Sequence, residues 1–184
     1  NYSWVDLDNE LSSEMIVDYL ISKDHKKIAF INVEEKYNFA FLRKKGFKKA
    51  LRKNLIPYDP SIYRTTSLED PSFTKNITME LLEKNPDLDS IICSTEYASV
   101  GAIEACVELG IKIGKDISLI TYDGPVVESL TNPKITAVAH PLEELGKKAI
   151  EILMNQHKNT DNISYLAVPH IIERGSVRSL IKSY

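Results

Sequence analysis

A carboxylate stands where a buried strand ends. The segment "DISLITYDG" (residues 116–124) has the apolar pattern of a strand and then stops at Asp123 and a glycine. In an open parallel sheet, ligands bind beyond the carboxyl ends of the strands. An ionised carboxylate at that edge can accept hydrogen bonds from two neighbouring hydroxyl groups of a ligand. Asp123 is therefore a candidate ligand contact, and the alternative is that it caps the turn before Pro125.

Cationic residues are densest in "RKKGFKKALRK" (residues 43–53), where seven of the eleven side chains are basic. A nucleic-acid patch is one interpretation, but apolar residues at helical spacing put most of these cations on the solvent-exposed face of a helix. Arg43 is the exception, because it lies near the start of that helix and can overhang the ligand edge of the sheet. Its guanidinium offers a rigid fork of donors that suits hydroxyl or carboxylate ligands.

The sequence contains none of the usual catalytic or cofactor-binding motifs. It has no G-x-S-x-G, G-x-x-x-x-G-K-[ST] or H-E-x-x-H pattern, and no glycine fingerprint for a dinucleotide. The four histidines are scattered, and the spacing of Cys93 and Cys106 fits neither a metal site nor a disulfide framework. We therefore expect no metal, no cofactor and no enzymatic activity, and two reduced cysteines that serve in packing.

The composition is that of an ordinary globular chain. Its 184 residues are 43% hydrophobic and 27% charged, and the net charge of -3 disfavours polyanion binding by the chain as a whole. No apolar run approaches the roughly 20 residues that span a bilayer. The first ten residues lack the pattern of a signal peptide. The expected location is cytoplasmic.

Strand and helix patterns alternate along the chain. Short apolar runs predict strands at 27–33, 62–67, 90–95, 117–122 and 135–140, and a closing strand segment at 163–177 that Pro169 kinks or confines to an edge. Helical spacing predicts helices near 10–22, 39–51, 71–85, 98–109 and 142–153, with Gly110 as a C-terminal cap. Continuous apolar strands between helices predict an α/β fold: a parallel sheet in a three-layer α/β/α arrangement.

Five segments resemble, in the same order, the effector domain of LacI/GalR-type bacterial transcription repressors. They are "VDLDNELSSEMIVDYLISKDHKKIAFI", "FLRKKGFKKAL", "DSIICSTEYASVGAIEACVELGIKIGKDISLITYDG", "ITAVAHPLEELGKKAIEIL" and "HIIERGSV". The second matches the R-x-x-G-F-x-x-A-L pattern of that family. Two positions depart from the pattern, since Asp24 replaces a glycine before His25 and Glu96 replaces an aspartate. The match of any one segment is weak evidence for the family, but the five in order cover nearly all of the chain.

The resemblance implies a type I periplasmic-binding-protein-like fold. In that fold the chain crosses three times between two lobes, and a small effector binds in the cleft. Residues 1–24 and 135–158 would form a partial N-terminal lobe, and residues 25–134 and 159–184 a near-complete C-terminal lobe. The helix-turn-helix DNA-binding domain of the family has no counterpart in this sequence.

The resemblance also implies a set of ligand-binding residues. Asp123 and Arg43 match the effector-contacting aspartate and arginine of the family. Five weaker candidates rest on position alone: Tyr37, Phe39, Thr95, Asp8 and Leu142. Phe39 is equally compatible with core packing, and Asp8 with a helix N-cap. Leu142 stands where an aromatic often stacks on a sugar, which disfavours a large stacked sugar here.

The implied function is that of a ligand-sensing domain in a bacterial transcription repressor. A sugar or similar metabolite would shift the lobes and change how a homodimer presents its DNA-binding domains to the operator. DNA would be contacted only through the absent domain, and no membrane partner is expected. Two other function classes stay open: a periplasmic sugar-binding or transport receptor of the same fold, and an enzyme on a flavodoxin-like sheet.

Overall fold

The computed structural model describes residues 2–122, 131–155 and 162–181. Within these ranges the strands are β1 (Trp4–Leu7), β2 (Ile28–Val33), β3 (Tyr63–Thr66), β4 (Ser90–Cys93), β5 (Ser118–Tyr122), β6 (Thr136–Ala139), β7 (Ser164–Ala167) and β8 (His170–Ile172). The helices are α1 (Asn9–Ser22), α2 (Asn38–Lys53), α3 (Pro71–Lys84), α4 (Glu96–Glu108) and α5 (Leu142–Asn155). None of these five helices is long and apolar enough to cross a membrane.

Six strands form the larger sheet, in the order β3-β2-β4-β5-β6-β8. The first five are parallel and β8 runs antiparallel to β6. Every residue of β2, β4, β5 and β6 is buried, as continuous apolar strands require when both faces are covered. Phe30, Ile92 and Ile120 pack with α1 and α2, whereas Ile31, Ile91 and Leu119 pack with α3 and α4. The predicted three-layer α/β/α fold is confirmed.

A second, two-stranded sheet pairs β1 with β7 in parallel, from Trp4 opposite Ser164 to Leu7 opposite Ala167. Helix α5 packs against both strands. The chain passes between the sheets at Asp8, at residues 140–141 and at residues 168–169. Pro169 therefore lies where the chain changes sheets, which explains the kink that its position predicts.

The lobe boundaries can be compared with these contacts. Helix α1 lies in the range 1–24, yet it packs against α2 and the larger sheet. Strand β6 lies in the range 135–158 and pairs with β5 and β8. We define the smaller unit as β1, β7 and α5, and the larger unit as the six-stranded sheet with α1 to α4. The two-lobe division itself stays a prediction.

After β8 the chain returns along the larger sheet as a tail, residues 173–181. The Ser176 hydroxyl donates to the Leu119 carbonyl (2.5 Å) and accepts from the Thr136 backbone N–H (2.8 Å). The Leu119 N–H in turn donates to the Ser176 carbonyl at 3.0 Å. Val177 is buried in the core beside α1 and α2. The tail is therefore part of the core of the larger unit.

Several lysines of the basic run at residues 43–53 form ion pairs with acidic side chains. Three of them join α1 to α2 at successive helical turns, each with an N–O distance of 2.7 Å: Lys45–Glu10, Lys49–Glu14 and Lys53–Asp18. The predicted solvent-exposed face is confirmed, and Arg43 is buried as the exception. Acidic side chains of α1 therefore neutralise three of the seven cations of the run.

Three helices are followed by a residue in the left-handed backbone region: α1 by Asp24, α2 by Leu55 and α4 by Gly110. Gly110 has φ 67° after α4, which confirms the predicted glycine cap, whereas Asp24 has φ 70° after α1. A side chain at such a φ is strained, although less for aspartate than for most residues.

Asp24→Gly is expected to raise the free energy of unfolding by about 0.5 kcal/mol, as measured by urea denaturation. Leu55→Gly, at φ 58° and 91% exposed, is the matched control with the same expected sign. A loss of stability in both variants would contradict this account.

Candidate functional site

A cavity of about 360 Å³ opens at the carboxyl edge of the larger sheet, facing β1 of the smaller unit. Its walls come from the ends of β1, β4, β5 and β6 and from the first turns of α1, α2 and α4. Parallel strands bring their carboxyl ends to one edge, so residues distant in sequence converge there. This is the edge at which the sequence predicts a ligand. We call this space the first cavity.

Arg43 lies in the wall of the first cavity and is only 5% exposed. Its Nε donates to the Asn9 side-chain oxygen at 2.9 Å, and its Nη1 donates to the Ser94 carbonyl. Within the described residues, Nη2 has no hydrogen-bond partner. A buried guanidinium that is held by two nitrogens keeps the third as a fixed donor for a ligand.

Two aromatic rings lie close to this guanidinium. The Arg43 Cζ lies 3.6 Å from the centroid of the Tyr122 ring and 4.9 Å from that of Phe39. Tyr37 continues the row, with its ring stacked on Phe39 at 5.8 Å between centroids and 24° between planes. We call these four side chains the stack. Cation–π contacts with Tyr122 and Phe39 thus add to the hydrogen bonds that Arg43 makes with Asn9 and Ser94.

The electrostatics of the stack follow from its burial. Desolvation lowers the pKa of Arg43, and the nearby Tyr122 and Asp6 oppose that shift. Burial raises the pKa of Tyr122, against the opposing effects of Arg43 and of hydrogen bonding to Ser13. The Tyr122 hydroxyl lies 2.5 Å from the Ser13 hydroxyl. Tyr122 therefore stays neutral, and the charge of the stack is that of the guanidinium.

Acceptors and hydroxyl groups complete the wall of the first cavity. The carboxylates of Asp6 and Glu96 line it together with Ser94 and Thr95. The Ser94 hydroxyl is buried and has no hydrogen-bond partner among the described residues. Two carboxylates and one guanidinium suit a neutral ligand with several hydroxyl groups better than an anion. Within the described ranges, no three His, Cys, Asp or Glu side chains lie close enough to hold a metal ion.

Three of the seven predicted ligand residues line the first cavity: Arg43, Phe39 and Thr95. Thr95 also caps α4, since its hydroxyl accepts from the Ala98 N–H at 3.1 Å. Phe39 is half-buried, so it faces the cavity without being a core residue. Their ligand-binding roles stay a prediction.

Of the other four predicted residues, three are described by the structure and do not line the first cavity. Tyr37 lines a neighbouring cavity. Asp8 caps α1 by accepting from the Leu11 N–H at 2.9 Å, so the alternative N-cap role is confirmed. Leu142 begins α5, is 69% exposed and is not in the wall of the first cavity. Asp123 lies outside the described residues.

The sequence did not single out several residues of the first cavity: Asp6, Leu7, Asn9, Ser94, Tyr122 and His140. A usable signal existed for some of them. Ser94 and Tyr122 directly precede the predicted contacts Thr95 and Asp123, at the ends of their strands. Asp6 had no such signal, because β1 was not predicted.

Comparisons with known proteins agree with this architecture. The sequence pattern of the periplasmic binding protein-like domain family matches residues 17–177. The HTH-type transcriptional regulator MalR of Clostridium butyricum is 29% identical over 154 residues, which cover 84% of this chain and 46% of MalR. The chain spans about half the length of the curated relatives it matches.

Two solved structures extend the comparison. A regulatory protein of the LacI family from Chloroflexus aggregans has a TM-score of 0.89 at 26% identity, covering 96% of this chain and 64% of that one. A LacI family transcriptional regulator from Enterococcus faecium, with bound ribose, has a TM-score of 0.86 at 25% identity. There the match covers 97% of this chain and 67% of that one.

Proposed function

We propose a function from one premise: the chain belongs to the periplasmic binding protein-like domain family. The proposed function is that of the effector-binding domain of a bacterial LacI-type transcription repressor, with DNA binding carried by another part of the regulator. Transcription regulators such as MalR and the Chloroflexus aggregans protein are its relatives, which favours this function over that of a transport receptor. A buried guanidinium with a spare donor in the wall of the first cavity is the observation that carries the proposal.

The proposed effector is a small neutral molecule with several hydroxyl groups, such as a sugar. Arg43 Nη2 would donate to a ligand hydroxyl, and Asp6 and Glu96 would accept from others. The half-buried Phe39 ring offers apolar contact for the carbon face of a sugar ring. That a LacI family relative was solved with ribose supports this ligand class.

Asp123 stays in the proposal as a second ligand contact. It directly follows Tyr122, whose ring lines the first cavity beside Arg43. A carboxylate at that position would complement the donor of Arg43 by accepting hydrogen bonds from the same ligand.

The proposed mechanism is a population shift between two arrangements of the units. The first cavity takes wall residues from β1 of the smaller unit and from the larger sheet. An effector that contacts both favours one relative arrangement, because only a difference in affinity between arrangements can shift their populations. In a cytoplasmic homodimer, that shift would change the spacing of the DNA-binding domains and so the affinity for operator DNA.

Arg43→Met in the full-length protein tests the site. The substitution keeps an unbranched side chain but removes every donor, so affinity for a bound sugar is expected to fall about 100-fold. Isothermal titration calorimetry with ribose, glucose and other neutral sugars measures the change. Thermal unfolding of the same sample checks that the variant is folded. The sugar affinity of Arg43→Lys, which keeps the charge but loses the planar guanidinium, should lie between that of the unchanged protein and that of Arg43→Met.

Lys45→Met is the matched control, since Lys45 is on the same helix and its amine pairs with Glu10 outside the cavity. It is expected to bind sugar as the unchanged protein does. The assignment of the site would be wrong if a folded Arg43→Met protein bound the same sugar with unchanged affinity.

A further inference from the structure

Another cavity, of about 540 Å³, opens at the amino edge of the larger sheet, opposite the first cavity. Its walls come from the second half of α4, from the turn at 111–116 that precedes β5, and from residues 131–133, which precede β6. The volume lies within the usual range for ligand sites, roughly 300–1,000 Å³. We call this space the basic cavity. It shares no wall residue with the first cavity.

Aliphatic side chains form the apolar part of the basic cavity. Ile103 and Val107 lie one turn apart on α4, and Ile111 and Ile113 belong to the turn that follows. Val107 is 74% exposed although its side chain is apolar. A concave aliphatic surface left open to solvent marks a place where a ligand can bury its own apolar part. No aromatic ring is among the ten residues of the wall, so the surface suits a hydrocarbon chain.

Positive charge in the basic cavity is not neutralised by the protein. Lys112 and Lys115 line the cavity, and none of its ten wall residues is acidic. Within the described ranges neither amine forms an ion pair, whereas most other lysines do, as Lys75 does with Glu108 at 2.6 Å. The first cavity has the opposite balance, with two carboxylates and one guanidinium. The two cavities therefore favour ligands of different charge.

Hydrogen bonds fix the turn that carries the two lysines. The Gly114 N–H donates to the Ile117 carbonyl at 2.8 Å, and the Lys115 N–H donates to the Lys112 carbonyl at 3.1 Å. The Asp116 carboxylate accepts from the Lys112 backbone N–H at 2.9 Å, so this acidic group is bound to the backbone. A ligand would meet a preformed wall and would not bear the cost of ordering it.

We propose that the basic cavity binds an amphipathic anion, a carboxylate or phosphate head group that carries a hydrocarbon chain. The amines of Lys112 and Lys115 attract the head group, and the chain lies against Ile103, Val107 and Ile113. An amine is a point charge without a fixed fork of donors, so it suits either head group. This site differs in place and in ligand class from the sugar site, and it does not depend on the proposed function.

Octanoate and octyl phosphate are the probes, titrated into the full-length protein by isothermal titration calorimetry. They carry the same chain, so their relative affinity shows which head group the lysines prefer. Affinity is expected to rise about threefold for each methylene group from hexanoate to decanoate, because each one buries more apolar surface. Octanamide keeps the chain of octanoate without its charge, and it is expected to bind at least about tenfold more weakly.

Three variants test the wall. Lys112→Met with Lys115→Met removes both amines and is expected to weaken octanoate binding at least about tenfold while leaving octanamide binding unchanged. Lys48→Met with Lys84→Met is the matched control, since it removes two positive charges from exposed lysines outside the cavity. Val107→Glu adds a carboxylate to the wall at an exposed helical position, and it is expected to weaken octanoate binding without lowering the thermal unfolding temperature.

The inference is overturned if neither octanoate nor octyl phosphate binds at millimolar concentrations, or if octanamide binds as tightly as octanoate. A folded Lys112→Met, Lys115→Met protein with unchanged octanoate affinity would also overturn it. So would a loss of octanoate binding in Arg43→Met, because the anion would then occupy the first cavity. A second copy of the chain is the competing occupant. If sedimentation velocity shows a dimer that Val107→Glu dissociates and that binds no octanoate, the cavity is a subunit contact and the inference falls.

Discussion

Asp89→Ala is expected to lower the free energy of unfolding by about 4 kcal/mol at neutral pH. The Asp89 carboxylate lies before β4, at the amino edge of the larger sheet, and is the acceptor for four surrounding donors. These are the Lys26 N–H at 2.7 Å, the Lys27 N–H at 2.8 Å, the Ser90 hydroxyl at 2.9 Å and the His25 Nδ1 at 3.0 Å. Alanine would leave all of them in place without their acceptor.

His25 extends this network to the tail. Its ring is fully buried, and its Nε2 lies 3.0 Å from the Arg178 carbonyl and 3.1 Å from the Ser118 hydroxyl. Ser118, His25 and Asp89 thus have the composition of a hydrolase triad, which sequence spacing alone gave no reason to expect. Ser118 and His25 are both 0% exposed, at the edge opposite the first cavity. Since no substrate reaches the serine, the network is a structural connection between β2, β4, β5 and the tail.

The stability that Asp89 provides should depend on pH in a definite direction. Burial raises the pKa of its carboxyl group, but hydrogen bonds from His25, Lys27 and Lys26 outweigh burial, and the net pKa is lowered. A group whose pKa is lower in the folded state contributes stability above its unfolded pKa, about 4 for aspartate. That contribution is lost as the pH falls through the folded-state pKa. The gap between wild type and Asp89→Ala should therefore be full at pH 7 and narrow below about pH 4.

Urea denaturation across this pH range measures the gap. Asp87→Ala is the matched control in the same loop, because the Asp87 side chain is 70% exposed and meets Lys27 only at 3.8 Å. It is expected to change stability by less than about 0.5 kcal/mol. A loss below about 1 kcal/mol for Asp89→Ala at pH 7 would mean that the buried donors find other acceptors.

Gly46→Ala is expected to lower the free energy of unfolding by about 3 kcal/mol, because α1 and α2 cross at this residue without room for a side chain. A Cβ on Gly46 would lie 2.1 Å from the Glu10 carbonyl oxygen and 2.9 Å from its carbonyl carbon. Both atoms belong to the backbone of α1, so the helix itself would have to move. Moving it would separate Ile16 and Leu20 from the core they share with Phe47.

Gly146→Ala provides a control with the opposite expected sign. Gly146 lies inside α5, and a Cβ added there meets nothing within 4 Å. Alanine should raise the free energy of unfolding by up to about 1 kcal/mol, because glycine is a poor helix former. Urea denaturation of the two variants side by side gives the comparison. If Gly46→Ala were neutral or stabilising, the close approach of α1 and α2 would not be a feature of the folded protein.

Strands with continuous apolar runs were predictable, because burial on both faces leaves a strong pattern. The runs 27–33, 90–95 and 117–122 contain β2, β4 and β5. Strand β1 was not predicted, since four residues that include Asp6 carry little periodicity. Its stability comes from pairing with β7, which lies at the other end of the chain and leaves no local trace in the sequence.

The same distinction holds for the candidate site. Arg43 was predictable because it lies near the start of a helix that follows a buried strand, at the ligand edge of the sheet, and the structure buries it in the cavity wall. Asp6 was missed together with the strand that carries it. Leu142 followed only from its position in the family pattern, and the first turn of α5 leaves it exposed. Position in a pattern gives the backbone location, whereas the direction of the side chain depends on packing that one sequence does not show.

The tail sets the order in which the larger unit can be completed during protein synthesis. Strands β2 to β6 are all synthesised before residue 140, whereas β8 and the tail come only after residue 169. Strand β8 pairs with the edge of β6, and Ser176 of the tail hydrogen-bonds to the backbone of Leu119 and Thr136. A nascent chain that has emerged only as far as β7 exposes the edge of β6 and lacks Val177 from its core. Unpaired edges of this kind promote association with other chains. The larger unit therefore reaches its stable fold late, when the ribosome has released residues 170–180, although most of its strands were made much earlier.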